Sequence, residues 1–263
     1  MAFKGISSNL WVWSERYSRD SLEIDWHRIL EECRIAGVDA IELLEGLDIS
    51  ELALSKGLKV SSAYVGLPLH ESGLAGQIKE RVLPLAEKLA RVGGTDLLVN
   101  ADPKGGWVSP QLKTEDDFKT QGENLSTIAE LVEPLGLRVS MHNHAATRHN
   151  AEGDLQSVVR YSSESVGLCI DTGWAYTAGH DPLEWVSAYP GRIYAIHLRN
   201  QVGSVPTEDL LSGDIPVEEL IRAMRGAHYD GWLTLELWHP NQMQPTGPMR
   251  DAVKRSVEWL AKM

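Results

Sequence analysis

Two hydrophobic rhythms alternate along this chain. Short, nearly unbroken apolar runs are followed by longer stretches in which apolar residues return every third or fourth position. The first pattern reads as strands covered on both faces, the second as amphipathic helices packed against them. Strands are expected at 3–6, 38–44, 58–64, 95–100, 137–142, 166–171, 192–197 and 231–236. Helices are expected at 24–36, 48–57, 74–92, 118–135, 153–163, from Pro182, from Pro216 and up to Met263. Eight strand-helix alternations predict an α/β fold, a (β/α)₈ TIM barrel, with residues 1–263 as one domain; about 250 residues is the usual size.

Punctuation supports these boundaries. Gly37 stands at a helix C-cap, Asp48-Ile-Ser-Glu51 resembles a capping box, and Gly93-Gly94 and Pro134-Leu-Gly136 close two further helices. Thr114 is placed to cap the long helix before Leu135, and Pro182 suits a first helical position. The segment after the first strand reads as a loop carrying Asn9, Trp11 and Trp13, whose aromatics line a pocket mouth or pack beneath the rim. Residues 101–110, rich in Gly and Pro and containing Trp107, suit a loop folded over a site. Residues 201–214 form another long loop.

Composition narrows the classes of partner. Lys+Arg 25 against Asp+Glu 37 leaves a net charge of −12, which argues against binding a phosphate backbone and so against nucleic acid. Cys33 and Cys169, in a helix and a buried strand, give no disulfide framework and favour a reducing compartment. The first residues lack the apolar core of a leader, and no run approaches the roughly 18 residues of a membrane span. A cytoplasmic protein with no membrane partner is expected.

The chemistry sits where four apolar runs stop. Val166-Gly-Leu-Cys-Ile-Asp171 ends in a carboxylate, and a doubly covered strand does not end so unless something holds the charge. Other runs end in His142-Asn-His144, His197 and Glu236. Parallel strands closed into a ring bring such ends together, and a metal ion is the simplest partner for them. His197 alone is as readily a hydrogen-bonded core histidine as a ligand; with Asp171 and Glu236 at equivalent strand ends, ligation is the stronger reading. His144 is an alternative ligand to His142, with the other then in support. Glu42 also ends a strand and contacts substrate or a loop, while His70 and Asn100 are candidate substrate contacts. Trp107 and Trp174 serve as a sugar platform or as packing. His149, His180, His228 and His239 read as surface or loop residues.

The ordered set of His142-Asn-His144, Asp171-Thr-Gly-Trp-Ala-Tyr-Thr-Ala-Gly-His-Asp-Pro, Ile196-His197-Leu-Arg-Asn and Tyr229-Asp-Gly-Trp-Leu-Thr-Leu-Glu236 resembles the xylose isomerase-like superfamily. More narrowly, it is similar to the sugar phosphate isomerase/epimerase and inosose dehydratase branch. The resemblance covers nearly the whole chain and is strongest between Leu137 and Glu236. It implies a TIM barrel with a divalent metal at the C-terminal face, held by Asp171, His197 and Glu236, with His142 at the fourth position. Three departures stand out. His142 replaces the usual glutamate, Trp174 stands where many relatives have histidine, and Arg199-Asn200 replaces Lys-Asp.

Two imidazoles and two carboxylates suit manganese first, with cobalt, iron, zinc or magnesium open. Such an ion polarises a carbonyl and an adjacent hydroxyl, the shared start of isomerisation, epimerisation and β-elimination. The expected activity is a lyase or isomerase on a keto sugar, keto-cyclitol or keto-glycoside, with His144, Glu236 and Arg199 as catalytic groups. Elimination is favoured, since His142 removes the second proton-transfer carboxylate and an imidazole near its ordinary value would protonate a leaving oxygen. Ketose 3-epimerase or aldose-ketose isomerase is the runner-up. A DNA-repair endonuclease is disfavoured by Trp174 and the charge. A barrel binding a sugar or a partner subunit without catalysis is the reading from another class. A small-molecule carbohydrate is the expected ligand, and a homo-oligomer is open.

Overall fold

The computed structural model describes residues 3–263; Met1 and Ala2, which open the stretch read as leaderless, lie outside the described residues. Strand β1 (Gly5–Asn9) is followed by helices α1 (Trp11–Arg19) and α2 (Trp26–Ala36), then β2 (Ala40–Leu44), α3 (Ser50–Ser55) and β3 (Lys59–Leu67). Next come α4 (Ala75–Gln77), a widened helical turn (Ile78–Val82), α5 (Leu83–Arg91), β4 (Asp96–Ala101), α6 (Glu115–Val132) and β5 (Arg138–His142). Then follow α7 (Arg148–Tyr161), β6 (Val166–Asp171), α8 (Thr172–Thr177), α9 (Pro182–Ala188) and β7 (Ile193–Leu198). A small hairpin of β8 (Gln201–Val202) and β9 (Val205–Pro206), α10 (Val217–Gly226), β10 (Trp232–Leu235) and α11 (Met249–Leu260) complete the chain.

Strands β1 to β7 and β10 close a parallel eight-stranded barrel, as the alternation of patterns required. Most of the apolar core lies between this barrel and its helices, where one face of every helix longer than two turns is covered. Leu98, Cys169 and Ala195, with Tyr64 against them, form a separate small cluster. Each shares a strand face with a strand-end polar residue two positions on: Asn100, Asp171 and His197. The cluster is therefore the apolar floor beneath the site, and Cys33 and Cys169 are both buried free thiols.

Local signals held where they were strongest. Gly37 takes a left-handed φ of 90° to stop α2, and Thr114 forms a capping box with Asp117 at the start of α6. Several boundaries differ, and the expected 201–214 loop contains the β8–β9 hairpin. The segment expected as a loop at Trp11 and Trp13 is helix α1, fixed because Trp13 is fully buried and its Nε1 donates to Ser8 Oγ at 2.9 Å. Asp48 makes no capping box, since α3 starts later, without a side-chain cap, and Asp48 pairs with Lys88 instead. Helix α7 begins earlier than expected, at Arg148 under the Thr147 cap. Strand β1 runs on to Asn9, which brings that residue to the barrel mouth.

Candidate metal centre and active site

Register builds the site. Asn9 is paired with Glu42, Asn100 with His142 and Asp171 with His197 across neighbouring strands, so these side chains emerge together at the C-terminal mouth. Glu236 follows β10 directly and its N–H donates to the Leu198 carbonyl at 3.0 Å, which seats it beside His197. His142, Asp171, His197 and Glu236 each offer one ligand atom, all within 4.8 Å of one another and all buried. His142 Nε2 lies 3.9 Å from Asp171 Oδ2 and 3.7 Å from Glu236 Oε2, while His197 Nδ1 meets Glu236 Oε2.

Both His142 nitrogens and Asp171 Oδ2 lack hydrogen-bond partners, and so do His197 Nδ1 and Glu236 Oε2, which stand only against each other. One buried polar atom left unpaired costs about 1–3 kcal/mol, so a convergent set of them is retained only where something satisfies it. The donor set, two imidazoles and two carboxylates, fits a divalent transition metal. The four ligand atoms lie close enough together that one ion could be held by all of them.

A second ring of side chains fixes the first. Glu42, fully buried, accepts from Asn9 Nδ2 at 2.7 Å, Ser62 Oγ at 2.7 Å and His197 Nε2 at 3.0 Å. A carboxylate with three donors needs Nε2–H on His197, which leaves Nδ1 free toward the centre. Asn143 clasps the Asp171 backbone, accepting from its N–H at 2.7 Å and donating to its carbonyl at 3.1 Å. Arg199 bonds Asp171 Oδ1 through Nε at 3.0 Å, and its guanidinium lies 5.1 Å above the Trp174 ring. Gly173 makes this possible, because a Cβ there would fall 2.1 Å from Arg199 Nε.

Electrostatics follow burial and pairing. Burial raises the Asp171 carboxyl and Arg199 opposes it; the net direction is upward. Burial would also raise Glu236, but His197 and His142 outweigh it and hold that carboxyl well below its ordinary value.

Above the four residues lies a cavity of about 420 Å³ lined by Asn9, Trp11, Tyr64, Trp107, His144 and Glu236 among others. His144 stands two residues beyond His142, its ring 4.1 Å from Trp174 and 4.7 Å from Trp107. Burial, with the neighbouring His142, drives the His144 imidazole down to about 3. The expectation of an ordinary imidazole value is corrected: His144 is neutral near pH 7, and a cation beside it would act in the same direction.

The remaining candidates divide. Trp107, 56% exposed, forms part of the cavity wall, and Trp174 lies behind His144. Glu42 and Asn100 are buried below the cavity; Asn100 donates to Asp102 at 2.8 Å. His70 is half-buried and outside that cavity wall. Arg199 is turned onto Asp171 rather than into the cavity. His149 and His228 are exposed as expected; His180 and His239 stand in loops, the other alternative, but are buried there. His180 packs on Trp185 at 4.9 Å, and His239 sits between Arg16 and the Glu208 carbonyl. Sequence reasoning missed Tyr64, whose ring stands edge-on to His142 at 5.4 Å, and Asn143 as a backbone clasp. The Tyr64 signal was available, since it ends the expected third strand.

A profile of the xylose isomerase-like TIM barrel matches residues 30–263. The chain belongs to this family. Among the xylose isomerase-like barrels, a rhizopine catabolism protein of Rhizobium meliloti is 24% identical over 82% of this chain and 76% of its own length. An inosose dehydratase of Clostridium perfringens is 24% identical over 46% of this chain and 48% of its own length, so the match spans about half of that relative. A sugar phosphate isomerase/epimerase structure from Parabacteroides distasonis superposes with TM-score 0.76 at 18% identity, covering 98% of each chain. The IOLI protein, crystallised with a bound zinc atom, superposes with TM-score 0.75 at 14% identity over 98% of this chain and 97% of its own. This family member is an enzyme with an inosose dehydratase among its relatives, and among its described residues no helix is long and apolar enough to cross a membrane.

Proposed function

We propose that the protein is a divalent-metal-dependent lyase acting on a keto sugar, keto-cyclitol or keto-glycoside by proton abstraction next to the carbonyl. The observation that carries this is the convergence of unpartnered ligand atoms on His142, Asp171, His197 and Glu236 directly beneath a cavity walled by a neutral histidine. Those four residues would hold the ion, with manganese the first candidate for this mixed nitrogen and oxygen set. Bound there, a divalent cation would polarise the substrate carbonyl and acidify the adjacent C–H.

The chain's own residues supply the rest. His144, neutral and facing the cavity, accepts the α-proton. As the C–H electrons form the new double bond, the bond from the β-carbon to its oxygen breaks. The imidazolium returns that proton to the departing oxygen, so one residue serves both transfers. Trp11, Tyr64 and Trp107 give the cavity the apolar walls that a sugar ring stacks on, and Asn9 supplies a fixed polar contact. Arg199, Glu42 and Asn143 act through Asp171 and His197 as positioning residues.

Position 142 favours elimination over epimerisation: a 3-epimerase acts with carboxylates on both faces of the substrate carbon, and one of the two is histidine here. The test is to incubate manganese-loaded protein with keto-inositols, 3-keto-glycosides and free ketoses in heavy water, following deuterium incorporation and product together. Release of water or of an alcohol supports the lyase; a C3 epimer as the sole product with no release overturns it.

A further inference from the structure

A second cavity of about 160 Å³ adjoins the first, and His144 and Trp107 belong to the walls of both. Trp174 closes its inner side, with Ala101, Pro103, Pro110 and Ala145 around it. The polar groups at its floor are already engaged: Lys113 Nζ bonds Asp154 at 2.8 Å and Gln121 at 2.9 Å, and Asn150 takes the Lys113 N–H at 3.0 Å. What remains open to a ligand is a largely apolar slot lined by two indoles.

We propose that this slot is a subsite for a single aromatic ring carried on the leaving oxygen of the substrate. The proposal rests on the lyase reading and specifies the substrate as a keto-glycoside with an aryl aglycone. Three observations converge on it. The volume matches the cavity of about 150 Å³ that holds benzene when lined by apolar side chains. The indoles of Trp107 and Trp174 both line the slot and both pack on His144, with ring centroids 4.7 and 4.1 Å away, which puts aromatic surface beside the group that serves the leaving oxygen. His144 lines both cavities and none of the four ligand residues lines the slot, so a ring carried on the oxygen that His144 serves lies next to it. A free cyclitol, which eliminates water, leaves the slot unused; an aryl glycoside fills it.

The test separates the subsite from the chemistry. Phenol, titrated into the protein with and without manganese, is followed by tryptophan fluorescence and by NOEs from its ring protons to indole protons. Saturable binding of one phenol per chain, with NOEs to Trp107 and Trp174, is expected, and Ala145→Leu should abolish it by filling the slot. The kinetic counterpart compares the phenyl-to-methyl ratio of kcat/KM for the 3-keto-glucosides; phenoxide leaves more readily than methoxide whatever the slot does, so the part of that ratio lost on filling the slot reports the subsite. Ala145→Leu should shrink that ratio at least tenfold. Absence of saturable phenol binding, or a phenyl-to-methyl ratio near one in the unaltered protein, overturns the subsite. Because the NOE measurement needs no variant, poor folding of Ala145→Leu leaves the proposal exposed to refutation. Phenol binding without any turnover would sink the lyase reading and keep the slot; turnover of the methyl compound without phenol binding would do the reverse.

Discussion

His197 Nε2 and Glu42 Oε2 lie 3.0 Å apart in a fully buried pocket, joining the seventh strand of the barrel to the second across its interior. That bond sets which nitrogen of His197 faces Glu236 and the rest of the cluster. Glu42→Ala removes the acceptor, frees the tautomer and leaves Asn9 and Ser62 without their partner. Metal affinity, measured by chelator competition, should fall by the roughly 10- to 100-fold typical of such outer contacts, with Glu42→Gln recovering part of it. An unchanged affinity in the alanine variant would show that His197 is oriented by packing alone.

Asp171 and Arg199 form a buried ion pair at 2.9 Å, so the strand-end carboxylate is tied into the fold as well as into the site. Reasoning from sequence alone, the carboxylate contributes nothing to the core and its loss is harmless to folding. The structure reverses this. Asp171→Ala should abolish metal binding and also destabilise the metal-free protein by about 3–5 kcal/mol, because it strands a buried guanidinium. Combining it with Arg199→Met should restore most of that stability in denaturant titrations, and a single variant as stable as the parent would refute the argument.

His144 gives a kinetic signature. With its imidazole held down to about 3, it stays in the proton-accepting form across the working range. The kcat/KM profile should therefore show no loss of activity from His144 between pH 8 and pH 5. A base with an ordinary imidazole value would lose a factor of ten per unit below about 6.5. His144→Gln should lower both deuterium exchange and product formation by roughly 10² to 10⁴, since one residue makes both transfers. Exchange that survives while turnover is lost would assign the abstraction to another group.

His239 makes a stability prediction. Arg16 Nη1 donates to its Nδ1 at 2.8 Å, its Nε2 meets the Glu208 carbonyl at 2.8 Å, and burial followed by the Arg16 charge lowers it to about 4. The folded value lies below the unfolded value of about 6.5, so the unfolded chain takes up the proton first. The contribution is fully present above about 6.5 and is lost as pH falls toward 4. His239→Gln, which can keep both bonds, should flatten the slope of unfolding free energy against pH in that window. An identical slope in the variant would place the acid sensitivity elsewhere.

Metal itself should act as a folding ligand. Manganese at a hundred times its dissociation constant should raise stability by about 2.7 kcal/mol, seen as a higher Tm that chelator reverses. His142→Ala should weaken this shift, and no shift in the parent protein would remove the basis of the metal centre.

The sequence by itself determined the barrel and the identity of the strand-end residues. Doubly covered strands leave unbroken apolar runs, and the carboxylates and imidazoles that interrupt those runs at Asp171, His197 and Glu236 are anomalous wherever they point. Tertiary structure decided what those residues do to one another. The Glu42 bond to His197 spans 155 positions of chain, the space over Gly173 is reserved for an arginine just past the end of the next strand, and the depression of His144 comes chiefly from burial, with two indoles against its ring. Trp13 is a further case: its local sequence suits a loop, and only the Ser8 bond with full burial makes it helical. Periodicity records which side of an element is covered, but register, barrel closure and desolvation decide which covered groups meet, and those arise only when all eight strands are in place.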